Sequence, residues 1–125
     1  MSELNMTFGE FIVAKRRELN MPAVRLAEAL GISAVYMCDI EKDRKSSVSK
    51  EFLDTLTAIL KFSEAEAELM YDLAALAQNG ISADLPEYIM EHKVVRTALR
   101  TAQKKDIPDE KWSKFISNLK RDEDD

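Results

Sequence analysis

The stretch LAEALGISAVYMCDIEKDRK, Leu26 to Lys45, decides how this chain is read. A helical pattern stops at Gly31, restarts at Ser33 and then carries Ala34, Val35 and Tyr36 at the start of a new helix, where exposed positions are usually polar. Leu26, Ala27 and Leu30 recur at helical intervals and form an inner face. Gly31 supplies a backbone conformation that other residues reach only with strain, so it closes that helix. Ser33 caps the next one, Met37 and Ile40 turn inward, and Asp43 ends it in a left-handed conformation more often given to glycine. Leu26, Leu30, Ile32, Met37 and Ile40 must bury, and Ala27 is small where one helix crosses closely over the other.

Working outward, Thr7 and Glu10 have the spacing of a capping box ahead of a first helix carrying Phe8, Phe11, Ile12 and Leu19. Pro22 suits the first turn of the second helix. Ser49 caps a fourth helix with Phe52, Leu53, Leu56, Ile59 and Leu60. Ser63 and Glu66 make another capping box before a fifth, whose expected stripe is Ala65, Leu69, Leu73 and Leu76. Asn79-Gly80 marks an internal boundary. Pro86 opens a sixth helix, bent near His92-Lys93 where the spacing slips, and Pro108 opens a last one. The expected division is a domain at 1–79, a linker at 80–84, a helical segment at 85–121 and a solvated acidic tail at 122–125.

Composition agrees with a helix-rich chain: three Gly, three Pro and 33% charged residues in 125. No apolar run approaches the ~20 residues that span a bilayer, and the N-terminus lacks the pattern of an export signal. A single cysteine, Cys38, fits a reducing compartment, so the expected location is cytoplasmic. The net charge of −5 is uneven: residues 1–62 carry nine basic and nine acidic residues, residues 63–125 nine and fourteen. Global acidity bears on solubility and steering and leaves room for a local basic patch.

Two helices joined by a tight turn containing Gly match the helix-turn-helix motif. Residues 8–62 as a whole resemble the Xre/Cro (phage-repressor-like) family of DNA-binding domains. The likeness is carried by LAEALGIS and YMCDIEKDRK, the latter close to a family variant reading Tyr-Leu-Ser-Asp-Ile-Glu-x-Gly-Arg-Arg. The resemblance implies an all-α chain: a five-helix repressor-like helix-turn-helix domain followed here by two C-terminal amphipathic helices. It makes 33–43 the recognition helix, and implies a homodimer that reads an inverted repeat in double-stranded DNA.

A recognition helix presents its N-terminal residues to base edges, so Ala34, Val35, Tyr36 and Asp39 are the candidate readers. Ala34 and Val35 suit a thymine methyl, the Tyr36 hydroxyl a phosphate or base, and Asp39 the amino group of cytosine. The alternative is that Val35 and Tyr36 pack on a neighbouring helix. Arg44, Lys45, Ser46 and Ser47 stand where the resemblance places the DNA backbone, with Ser33, Lys42 and Arg25 as further phosphate candidates. Pro22-Ala23 replaces the polar residue usual in the family at the first turn of the second helix, leaving backbone N–H groups to serve there. Arg16 and Glu41 match a pair that many family members use as an internal ion pair.

Nothing else in the chain suggests chemistry. One histidine and one cysteine make no structural zinc set, no nucleophile and base stand in local context, and there is no glycine-rich phosphate loop. Neither enzymatic activity nor a cofactor or metal is expected. Lys93, Arg96, Arg100, Lys104 and Lys105 give the sixth helix a basic face, for which solvation is the ordinary reading and contact with an acidic partner or DNA the lesser one.

The C-terminal helices are too amphipathic to stand alone in water. Tyr88, Ile89, Val95, Leu99, Trp112, Phe115, Ile116 and Leu119 form the surface expected to meet the first domain, a second copy or another protein. That arrangement is similar to regulators from mobile elements and toxin–antitoxin modules. A second reading is therefore an antitoxin or interaction protein that binds a toxin or a regulatory protease and uses DNA for autoregulation. A third is a domain that kept the fold and lost DNA binding.

Overall fold

Side-chain caps and the spacing of apolar residues decide where each helix starts and stops. In the computed structural model, which describes residues 5–45 and 47–123, the described chain is all-α, with eight helices and no strand. Helix α1 (Phe8–Glu18) opens with the expected capping box: the Thr7 hydroxyl accepts the Glu10 N–H at 3.1 Å and the Glu10 carboxylate accepts the Thr7 N–H at 2.9 Å. Helix α2 (Ala23–Leu30) follows Pro22 and stops at Gly31, whose φ of 73° is left-handed. Helix α3 (Ala34–Glu41) begins where the Ser33 hydroxyl accepts the Tyr36 N–H at 3.0 Å. Ser49 caps α4 (Lys50–Leu60) in the same way, and Ser63 with Glu66 boxes α5 (Glu64–Gln78). Helices α6 (Pro86–Glu91), α7 (Lys93–Lys105) and α8 (Asp109–Glu123) complete the described chain. No described helix is long and apolar enough to cross a membrane.

The chain divides into two compact units between Pro86 and Glu87. In the first, α1 to α5 share one apolar core built from Phe8, Phe11 and Ile12, Leu26 and Ala27, Met37 and Ile40, Leu53, Leu56 and Leu60, and Met70, Leu73 and Ala74. Leu30 and Ile32 pack half-buried at its edge. Polar contacts brace the periphery. Glu66 caps Ser63 with one carboxylate oxygen and takes Lys15 of α1 at 2.5 Å with the other. That hydrogen bond raises the Lys15 ammonium above its ordinary pKa and lowers Glu66 below its own. Lys15 also lies over the Phe11 ring, 5.6 Å from its centroid.

Helix α5 is rotated from the expected stripe. Of that stripe Leu73 is buried and Leu69 packs on the core, but Leu76 is 58% exposed and Ala65 is exposed, while Met70 and Ala74 point inward. The core is reached from two sides of this helix, because it packs against both α1 and α4, so a single i, i+4 row does not describe it. Residues 80–84, expected as a linker, fold back on the first unit: the Ser82 hydroxyl donates to Asp72, and Ala83 packs on the core.

In the second unit the expected bend is a break. The Ile89 carbonyl accepts the His92 N–H at 3.3 Å, and His92 takes an extended conformation at φ −127° and ψ 95°. The Arg96 guanidinium then turns back to donate to the Ile89 and Met90 carbonyls, at 3.0 and 2.6 Å. It gives the Ile89 carbonyl a second donor and supplies one to the Met90 carbonyl at the open end of α6. The segment after Pro86 is thus three helices, not two. The acidic stretch at 122–125 is not simply a tail: α8 continues through Glu123, and 124–125 lie outside the described residues. No side chain described in the second unit is buried. Phe115, Ile116, Leu119 and Leu99 stand about half exposed, and Ile89, Val95 and Trp112 are partly covered.

Helices α4 and α5 are joined by the Tyr71 hydroxyl, which donates to Asp54, itself paired with Lys50 at 2.9 Å. Burial of the phenol, then its hydrogen bond to the carboxylate, push Tyr71 up to about 12. The raised value favours the neutral phenol in the folded chain. Its contribution to stability is whole below the unfolded pKa of ~10 and is lost as pH rises toward 12. In an alkaline absorbance titration, one of the three tyrosines should ionise late, and Tyr71→Phe should remove that late component. Three tyrosines ionising together near 10 would contradict the arrangement.

Candidate nucleic-acid interface

Helix α3 is gripped on its inner side and at its C-terminal end. Met37 and Ile40 are fully buried. At the far end, the first turn of α1 lies directly on the α3 backbone. A Cβ on Gly9 would stand 2.3 Å from the Glu41 carbonyl oxygen and 2.8 Å from that of Ile40, so this approach requires glycine. Asp43, left-handed at φ 60°, closes the junction. Its carboxylate accepts the Gly9 N–H at 2.9 Å and the Thr7 hydroxyl at 2.6 Å. One residue therefore ends α3 and caps α1.

The same end is held by Arg16 and Glu41 in a two-pronged ion pair, Nε to Oε2 at 2.7 Å and Nη2 to Oε1 at 3.0 Å. The side chains are only 13% and 10% exposed. Arg16 also donates to the Met21 carbonyl at 3.3 Å, tying in the loop before α2. The hydrogen bond to Glu41 outweighs burial and raises the Arg16 pKa further above its ordinary value.

The outer side of α3 is open at its N-terminal turn. Ala34 is exposed and Val35 is 74% exposed. Tyr36 differs from Val35: its ring packs half-buried against the core, and its hydroxyl makes no hydrogen bond among the described residues. Asp39 is partly covered and is held by Arg44, Nη1 to Oδ1 at 3.3 Å. These two candidates are therefore partners of each other in the free chain, and any contact with a nucleic acid through Arg44 exchanges a carboxylate for a phosphate. Cys38 is partly covered and is a free thiol.

Beyond α3, Lys42, Arg44, Lys45 and Ser47 are all exposed, and Lys42 and Lys45 have no ion-pair partner among the described residues. Ser46 lies outside the described residues. The Asp39 carbonyl accepts the N–H groups of Arg44 and Lys45 at 2.8 and 3.3 Å, which holds this short loop against the helix it follows. Ser33 uses its oxygen as a cap and keeps its hydroxyl proton to donate. Arg25 is exposed on α2, whose N-terminus has no side-chain cap, so its first N–H groups remain open. Among the described residues no cluster of His, Cys, Asp and Glu could hold a metal ion.

Two residues that position α3 escape a reading of the sequence. Gly9 in the first turn of α1 is the signal that was present, since a helix tolerates glycine there only at a cost. The Asp43 side chain gave none, because its partners lie 34 and 36 residues away.

Compared with known proteins, the chain matches no family model, no curated protein and no solved structure.

Urea melts test the grip on α3. Gly9→Ala should destabilise by about 3 kcal/mol through overpacking, although alanine at an unobstructed helix position gains up to ~1 kcal/mol. Glu41→Ala should cost about 3 kcal/mol by stranding the Arg16 charge. A Gly9→Ala variant as stable as the parent would refute the close approach.

Proposed function

We propose that this protein is a sequence-specific regulator that binds double-stranded DNA, a dimeric repressor of the Xre/Cro type with α2 and α3 as its helix-turn-helix. One observation carries the reading. Helix α3 is fixed at its inner face and C-terminal end, yet exposes Ala34 and Val35 at its N-terminal turn and is followed by exposed Lys42, Arg44 and Lys45. Apolar and aromatic side chains at the leading turn suit base edges in a major groove, and the basic loop suits the phosphates beside it. Rigid positioning of such a helix is what discrimination by base contacts needs. In this reading Ala34, Val35, Tyr36 and Asp39 read bases, while Ser33, Lys42, Arg44, Lys45, Ser47 and Arg25 hold phosphates.

The dimer is assigned to the second unit. Tyr88, Ile89, Val95, Leu99, Trp112, Phe115, Ile116 and Leu119 leave too much apolar surface for a unit in which no described side chain is buried to remain uncovered. The same observation favours one other reading, in which that surface takes a different protein, a toxin or a regulatory protease, and DNA binding serves autoregulation.

Selection from a random duplex pool tests the first proposal. Wild type should recover an inverted repeat, Tyr36→Ala should lose or alter it, and Arg44→Ala should weaken all sequences alike while flattening the salt dependence by about one unit of log–log slope. Recovery of no motif at low salt would reject it. Sedimentation tests the second unit: wild type should be a dimer, and Phe115→Glu with Leu119→Glu a monomer. A wild type that stays monomeric and purifies from its host with a stoichiometric partner would replace the dimer by the antitoxin reading.

A further inference from the structure

Helix α7 carries five basic residues and no acidic one in thirteen positions, Lys93, Arg96, Arg100, Lys104 and Lys105. The rest of the second unit offsets this charge, since residues 87–125 hold nine basic and nine acidic residues in all. The cations are not scattered. Lys93, Arg96, Arg100 and Lys104 follow at intervals of three, four and four, which places them in one row along the helix, ~6 Å of rise between members four apart.

That row is maintained against local electrostatics. Arg96 to Arg100 and Arg100 to Lys104 are like-charge neighbours one turn apart, an arrangement that destabilises a helix. Lys93 sits in the first turn, at the positive end of the helix dipole, where a cation is unfavourable. Only Lys104 and Lys105 stand at the end that the dipole favours. Arg96 has a structural task in closing α6. Lys93, Arg100 and Lys104 are exposed and have no ion-pair partner among the described residues. In the first unit Lys15, Arg16, Arg44 and Lys50 pair with carboxylates, whereas the exposed Lys42 and Lys45 do not among the described residues.

The opposite, apolar side of α7 is turned toward α8, with which Ala98 and Ala102 line an open groove at Ile107, Trp112 and Phe115, while Ala98 and Leu99 stay exposed. A basic helix that lies in a lipid surface inserts its whole apolar face, and that of α7 is shared with α8. What α7 offers outward is a straight row of unpaired cations, the complement of a linear array of phosphates.

We infer that the Lys93, Arg100 and Lys104 row of α7 is a second phosphate-binding face, which grips the backbone of duplex DNA without reading its sequence. The inference rests on the DNA-binding reading of α3 but concerns a separate unit of the chain. It accounts for affinity in a protein of net charge −5, whose recognition loop alone supplies few cations.

The test uses the full chain with Lys93, Arg100 and Lys104 all changed to Gln, leaving Arg96 to close α6. A matched control changes Lys111, Lys114 and Lys120 of α8 to Gln, the same change in net charge elsewhere in the unit. Circular dichroism establishes that both remain folded. Fluorescence anisotropy then follows binding to a random-sequence duplex, and to the sequence enriched by wild type, across a salt series. The α7 variant should bind both duplexes more weakly, with a log–log salt slope shallower by about 2.7, and the α8 control should follow wild type. An α7 variant that superimposes on wild type, while Tyr36→Ala still loses selectivity, would overturn this inference and leave the α3 reading standing. Equal losses in both variants would reduce the effect to net charge and also overturn it. A wild type that binds neither duplex would end both readings. Capture by phosphatidylserine vesicles in place of duplex, lost in the α7 variant, would assign the row to a membrane surface and reject the DNA assignment.

Discussion

The first turn of α1 lies on the last turn of α3, and the first unit depends on that contact. Gly9 leaves no Cβ between the two backbones, Asp43 joins their ends through the Gly9 N–H and the Thr7 hydroxyl, and Arg16 clamps Glu41 a little farther along. Each of these groups would be costly alone: a glycine in a helix, a left-handed aspartate, a guanidinium and carboxylate largely removed from water. Together they satisfy one another, and no buried side-chain nitrogen or oxygen among the described residues is left without a partner. The orientation of α3 follows from polar contacts made at one end and apolar burial of Met37 and Ile40 along its inner side.

This division of labour leaves the outer surface of α3 unencumbered. Its cap at Ser33 and its core contacts use the inner and terminal positions, so Ala34 and Val35 carry no structural duty that their exposure would compromise. Tyr36 is intermediate, with a ring that packs and a hydroxyl that does not bond. A helix anchored in this manner holds its free side chains at fixed places, which is the property the proposed recognition role requires.

The two units differ in how they handle charge and apolar surface. The first buries a thirteen-residue core and pairs some of its cations locally, as where Lys15 meets Glu66 and Arg44 meets Asp39, while Lys42 and Lys45 stay without an ion-pair partner among the described residues. The second buries no described side chain and leaves a row of cations on α7 unpaired. A unit of that kind gains by covering its surfaces with something outside itself. The proposals for a second copy and for phosphates assign its apolar and basic sides separately.

Much of the first unit was legible in the sequence because its signals are local. Capping boxes at Thr7–Glu10 and Ser63–Glu66, the stop at Gly31, the cap at Ser33 and the left-handed Asp43 each involve residues within one or two turns. The Arg16–Glu41 pairing was suggested by a resemblance and not by spacing, since 25 residues separate the partners. Tertiary structure alone decided the rest. The rotation of α5 depends on α1 and α4 reaching it from different sides, the recruitment of residues 80–84 depends on Asp72 and the core, and the break at His92 depends on Arg96 folding back to take two carbonyls. Local sequence sets which backbone conformations are cheap; which of them are used is settled by contacts between segments far apart in the chain, as at Gly9, where only the presence of α3 explains why a helix should begin without a side chain.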